Sequence, residues 1–285
     1  MHRERLSGYA AMSVAATAWG VIPVIVRKAG APPAVLVSMR MGFGALALAA
    51  VASGLRHRVF PRTSRRLLGV LGVVLAANWL MFFTSIGLIG AAAVLINYAF
   101  PLLVAVAAPV VLAERREAHA VPLALAGLAG LALILVPRAS SGDALGAGLA
   151  LAAAVLTAVI VMGGSRVVRT VPGSVAALWQ NATGFVVLLP FALRAGTGSY
   201  PWAWGLVLGV GLTALTGMLF FHALERIPAQ EAGILMFMEP VAAVAFVWLF
   251  GGDRPSLADL AGGAVVVGAG VALVVLSGRR PREPV

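Results

Sequence analysis

The stretch "GILMFMEPVAAVAFVWLF", Gly233 to Phe250, is apolar throughout except for Glu239, which stands immediately before Pro240. A hydrocarbon core is crossed by about 20 apolar residues in a helix, so this run with its flanks reads as a membrane span. Glu239 lies some ten residues from its start, which at about 1.5 Å per residue is near mid-membrane. An ionisable group there costs roughly 2.5–3.5 kcal/mol on insertion scales and is expected to face the bundle interior or water. Pro240 has no N–H to donate and its ring disfavours helical geometry at Glu239. The carbonyl of Met236 is therefore expected to lack its intrahelical donor, in a bent helix.

The rest of the chain has the same character. Of 285 residues, 61% are hydrophobic and 11% charged, with a mean hydropathy of +1.00, which is far from the balance of a water-soluble domain. The composition defines an integral membrane protein with the lipid bilayer as its solvent. The net charge of +11 does not point to nucleic acid, because the Arg residues fall between apolar runs instead of along one polar face. With no Cys in the chain, disulfides, thiolate metal sites and thiol catalysis are excluded. The basic start "MHRERLSGYAAMSVAATAWGVIPVIV" is followed by an apolar stretch longer than a signal peptide requires and reads as a retained first span.

Ten spans are expected, near residues 8–27, 33–54, 67–88, 91–113, 120–137, 146–165, 174–193, 202–224, 229–250 and 256–277. Shifting the chain by 140 residues aligns Thr17-Ala18 with Thr157-Ala158, Pro32 with Pro172 and Gly44 with Gly184. At a shift of 139, Pro101 meets Pro240 and Glu114-Arg115 meets Asp253-Arg254. This predicts two copies of one five-span unit, residues 1–140 and 141–285. Five spans is an odd number, so the second copy enters from the opposite side. Inverted repeats of this kind are typical of secondary transporters, with the site at the repeat interface. Orientation follows from Arg and Lys. Placing the N-terminus inside puts fifteen of them on the cytoplasmic side and five (Arg27, Lys28, Arg138, Arg194, Arg254) outside. A multi-pass protein of the cell inner (plasma) membrane with both termini cytoplasmic is expected.

The segments "AWG" (Ala18 to Gly20), Arg40 in the second span, "NYAFPLLVAVAAPVVLAERRE" (Asn97 to Glu117) and "FMEPVAAVAFVWLFGGDRPS" (Phe237 to Ser256) resemble the EamA-type family of the drug/metabolite transporter superfamily. The likeness covers nearly the whole chain; Asp253 behind "GG" departs from the usual Glu behind "LG". The resemblance implies an all-α, basket-like bundle of ten transmembrane helices whose first, third and fourth spans of each half line a cavity. It also implies an exporter of amino acids, other metabolites or drugs, with uptake or uncoupled facilitation as alternatives.

Within that architecture, Glu239 is either a proton-titrating or substrate-facing carboxylate, or an acid that holds the kink. Its counterpart in the first half is Phe100, so one half alone carries the acid. Arg40 is either an anchor that can snorkel outward or an attractor of substrate carboxylate, since guanidinium grips carboxylates bidentately. Trp19, Asn78, Trp79, Asn97, Tyr98 and Phe237 fall on the spans expected to line the cavity. Pockets for amphipathic molecules combine aromatic walls with a few fixed polar groups. Asn78 and Asn97 stand out because an amide in lipid is costly, whereas Trp79 and Phe237 are open to facing lipid or packing helices. His222 is a candidate for gating or proton relay, with hydrogen bonding at the span's edge as the alternative, and Pro101 and Pro240 bend their helices. Glu114 and Asp253 read as helix-end or ion-pair residues. "NAT" (Asn181 to Thr183) lies inside a span, out of reach of glycosylation, and "GLVLG" (Gly205 to Gly209) reads as close internal packing.

No His-Glu-x-x-His, Gly-x-Ser-x-Gly or Gly-x-x-x-x-Gly-Lys pattern occurs, which argues against a membrane enzyme and against direct ATP drive. No loop is long enough to form a receptor domain. The expectation is a monomeric transporter of small molecules, with protons as a candidate coupling ion and neither metal nor cofactor. The charge bias makes a testable statement about orientation: green fluorescent protein joined to the C-terminus will fluoresce and alkaline phosphatase joined there will be inactive. An active phosphatase would reverse the assignment.

Overall fold

The computed structural model describes residues 2–53, 62–139, 143–196, 202–251 and 254–278. Among these, ten helices are long and apolar enough to cross a membrane: Arg3–Val26, Pro33–Val51, Thr63–Ile89, Ala91–Val111, Ala120–Arg138, Ala144–Val167, Gly173–Arg194, Trp202–Leu224, Ala229–Phe250 and Leu257–Ser277. They match the expected spans to within a few residues, the first beginning earlier than its polar start suggests. A single residue, Gly90, separates the third span from the fourth; its φ of +55° lies in the left-handed region that favours glycine.

Polar ties fix which ends lie together. The starts of the first, fifth and ninth spans and the end of the tenth meet through Arg5, Tyr9, His119, Glu231 and Ser277. At the other end Arg138, closing the fifth span, binds Asp259, opening the tenth, with both guanidinium contacts at 2.7 Å. The sixth span starts at this second end: a methyl on Gly146 would sit 2.7 Å from Ile89, where the third span finishes. Asp253, expected to begin a loop, falls outside the described residues.

The two five-span halves interleave. The third span packs on the sixth and seventh, the second on the seventh and eighth, the first on the eighth and ninth, and the fifth on the tenth. Such close contact needs small residues, because packing, and not the hydrophobic effect, drives helices together in lipid. Gly130 and Gly262 make it possible for the fifth and tenth spans: a Cβ on Gly262 would collide with the Gly130 carbonyl oxygen, and one on Gly130 would sit 2.7 Å from that of Gly262. "GLVLG" serves internal packing as read, with Gly205 against Met39 and Gly209 against Phe43.

Three spans are broken within their length, the fourth and ninth about a third of the way along and the first toward its end. The fourth divides into Ala91–Asn97 and Phe100–Val111, the ninth into Ala229–Leu235 and Met238–Gly251, and the first into His2–Trp19 and Ile22–Ala29. The breaks in the fourth and ninth precede Pro101 and Pro240, as the missing N–H requires. One expectation is corrected here. The Met236 carbonyl is not left without a donor, because the chain tightens and the Glu239 N–H reaches it at 3.1 Å, the shorter-range bond that commonly closes an interrupted turn. The eighth span carries a wide π-helical stretch, Val207–Leu215, for which the sequence offers no signal.

Gly262→Leu should force backbone against backbone and cost about 1–3 kcal/mol or more, read as a lowered melting temperature in detergent. Gly69→Ala, which meets nothing within 4 Å, should leave it unchanged.

Candidate functional site

The breaks converge on one place. Arg40, seven residues into the second span, points inward and is buried, 6% exposed; it does not snorkel. Its Nε donates to the Thr213 hydroxyl at 2.9 Å and one Nη to the Leu212 carbonyl at 3.2 Å. Both acceptors belong to the π-helical stretch of the eighth span, a rare backbone form frequent at functional sites. The guanidinium carbon lies 3.8 Å from the centre of the Trp79 ring, a cation–π contact in a desolvated setting.

Glu239 completes the arrangement. Its carboxylate lies in the field of Arg40, and the Tyr98 hydroxyl faces it as a hydrogen-bond donor. The carboxylate thus has a cation nearby, supplied by another helix and not by the apolar run around it. Glu239 and Trp79 are half-buried, whereas Arg40, Tyr98 and Asn97 are buried. Four spans, the second, third, fourth and ninth, therefore bring one positive charge, one negative charge, one aromatic plane and one hydroxyl together.

The remaining candidates separate into distinct roles. Trp19 donates its indole N–H to Thr216 at 2.8 Å and packs on Phe220, tying the first span to the eighth. Next to it, a Cβ on Gly20 would sit 2.8 Å from the Glu239 carbonyl oxygen and 2.6 Å from Ala242, so the broken first span touches the ninth at the site. Asn78 spends its amide on the sixth span, donating to the Ala153 carbonyl at 2.8 Å and the Thr157 hydroxyl at 2.9 Å. Asn97, beside Tyr98, is buried with no hydrogen-bond partner for its Oδ1, a costly state that a ligand N–H would relieve. Phe237 is 1% exposed, packs tilted against Tyr98 with ring centres 5.9 Å apart and fills the notch left by Gly127. Pro101 packs beside Gly233, where the fourth and ninth spans cross. His222 lies apart, near the arginine-rich end, with Nε2 3.5 Å from the Ser7 hydroxyl.

A second polar cluster, which the sequence did not single out, occupies that same end. Glu231 is fully buried and accepts from Arg5, Tyr9 and Ser277. Glu114, read as a helix-end or ion-pair residue, accepts from the Ala229 N–H and the Gln230 amide, holding the start of the ninth span. Glu117, His119 and Glu231 bring ligand atoms within 4.8 Å of one another, with the Arg5 guanidinium already on Glu231. Nothing in the sequence marks Thr213 or Thr216 as a site residue either. A threonine in an apolar run is common, and Glu231 after "IPAQ" reads as an ordinary acid in the first turn of a helix.

Among the described residues, ten interleaved membrane helices are broken where Arg40, the half-buried Glu239 and an aromatic plane meet, an arrangement suited to a membrane transporter. The EamA-like transporter family matches residues 6–136 and again 144–276, and the chain belongs to it. An uncharacterized transporter of Archaeoglobus fulgidus is 30% identical over 269 residues, covering 93% of this chain and 94% of its own. The uncharacterized transporter YxxF of Bacillus subtilis is 29% identical over 100 residues, 34% of this chain and 32% of its own. A solved crystal structure of another protein superposes with a TM-score of 0.82 over 96% of this chain and 99% of that one, at 24% identity.

The two asparagines give a contrast that activity alone would miss. Asn78→Leu should lower stability by about 1–2 kcal/mol through its lost interhelical bonds, whereas Asn97→Leu should leave the melting temperature intact or raised and impair transport. Equal destabilisation by both would contradict the assignment.

Proposed function

We propose that the protein is a secondary transporter that carries small amphipathic metabolites, amino acids among them, outward across the cell inner membrane. The carrying observation is the Arg40 guanidinium stacked on Trp79 in the field of Glu239, whose carboxylate faces the Tyr98 hydroxyl. A zwitterion presents the matching chemistry: its carboxylate suits Arg40, its ammonium suits Glu239, and an apolar side chain suits the ring faces. Glu239 binds either a proton or the substrate's cation, and this competition links proton entry to substrate release.

Residues 1–140 and 141–285 act as two inverted units that exchange shapes around this site, giving alternating access with both termini cytoplasmic. Support comes from the matched breaks at Pro101 and Pro240 and from the opposite ends at which the first and sixth spans start. In this scheme Arg40 and Glu239 bind and couple, Trp79, Tyr98 and Asn97 shape the pocket, Trp19 and Asn78 fasten helices around it, and Phe237, Pro101 and Pro240 set the joints.

The test is flux. Purified protein in liposomes is screened with radiolabelled amino acids and cationic dyes, with and without an imposed pH gradient. At least one compound should move, faster with the gradient, and Glu239→Gln should abolish the response to the gradient. Absence of flux for every compound would refute transport; a Glu239→Gln variant with an unchanged pH profile would remove the coupling role.

A further inference from the structure

The arginine-rich end is closed by a set of bonds that mostly run from one half of the chain to the other. Glu231 has both carboxylate oxygens occupied: the Arg5 guanidinium at 2.8 Å and 3.0 Å, the Tyr9 hydroxyl at 2.7 Å and the Ser277 hydroxyl at 2.7 Å. Arg5 and Tyr9 come from the first span, Glu231 opens the ninth and Ser277 closes the tenth. His119, at the start of the fifth span, sits 3.2 Å from the Ser277 hydroxyl and 3.9 Å from Glu117. The residues just before Glu231 are gripped from the other side. Gln230 donates to Glu114 and to the Arg115 carbonyl and accepts from the Glu117 N–H, while the Ala229 N–H binds Glu114.

We propose that Arg5 and Glu231 form the latch that keeps this end shut, and that its release is the step that opens the central site toward the arginine-rich side. The proposal rests on the alternating-access reading given above. Separating the first span from the ninth must break the Arg5 and Tyr9 bonds, whereas the Ser277 bond stays within the second half. The two sides of the latch differ in what awaits them on release. The Arg5 side chain is 34% exposed and Glu231 is not exposed at all, so Arg5 can withdraw into water while Ser277 retains the carboxylate. A buried acid left with one hydroxyl partner is unfavourable, which draws Arg5 back and gives the closed form its bias. At the opposite end the corresponding ion pair, Arg138 with Asp259, joins the fifth and tenth spans, which are already packed along Gly130 and Gly262. That pair can persist through the motion, so the latch at the arginine-rich end is the one that must break.

Because the chain has no Cys, a single reporter thiol tests this directly. Ser165→Cys places it in a cavity of about 280 Å³ at the arginine-rich end, lined also by Glu114, Arg169 and Glu225; Ser165 itself is 4% exposed. The full-length protein in liposomes or detergent is treated with a membrane-impermeant maleimide. Labelling should be slow in the reporter background and on the order of tenfold faster with Glu231→Gln or Arg5→Gln, as coupling of this kind typically gives. The double variant should be no faster than the faster single one, since one latch can be opened only once. Tyr9→Phe, which removes one hydroxyl, should give a smaller increase and serves if a charge variant does not fold. Labelling unchanged in Tyr9→Phe and in either charge variant would overturn the latch, and so would additive rates in the double variant. Flux is scored separately: a transporter with unaltered labelling loses only the latch, whereas a protein without flux loses the reading on which the latch rests.

Discussion

A charge in hydrocarbon must find its compensation inside the protein, and much of this bundle is arranged around that requirement at Arg40. The cost of such a charge, roughly 2.5–3.5 kcal/mol even on lenient insertion scales, is offset by three kinds of partner drawn from different helices. The eighth span supplies the Thr213 hydroxyl and the Leu212 carbonyl, the third the Trp79 ring, and the ninth the Glu239 carboxylate. None of these is wholly neutralising, since Glu239 keeps some exposed surface and Trp79 does too. A charge pair that is held but not sealed is suited to exchanging partners with a ligand.

The helices pay attention to this centre through their irregularities. Proline interrupts the fourth and ninth spans, a π-helical stretch widens the eighth, and Gly20 lets the broken first span touch the Glu239 carbonyl. Non-helical backbone at membrane depth is tolerated only where it is buried in protein or lines a cavity. Around the irregular core stand the fifth and tenth spans, unbroken over Ala120–Leu135 and Leu257–Gly278 and joined glycine to glycine, which form the part of the structure best fitted to stay rigid.

Much of this was legible in the sequence because membrane burial imposes a one-dimensional rule: length and apolarity locate a span whatever it packs against. The ten spans and the two prolines follow from that rule. What escaped depends on which helix lies across from which. The Met236 carbonyl was expected to be free, and a local tightening satisfied it. Asn78 was expected in the cavity wall on the cost of its amide, and that amide is satisfied by Ala153 and Thr157 on the sixth span. The cation beside Glu239, Arg40, lies some two hundred residues away in the chain, so the apolar run around the acid gives no sign of it. Glu231 has no sequence signal, because an acid in a first helical turn is ordinary, and its role lies in Arg5, Tyr9 and Ser277, which surround it from distant parts of the chain.

The joint of the broken helices is where the cargo is expected to sit. The measurement that addresses it most directly is a structure of the protein determined with a transported compound bound. The ligand is predicted to lie against the Trp79 ring between Arg40 and Glu239, with a donor group on the Asn97 Oδ1. A ligand bound away from all four of these residues would contradict the account.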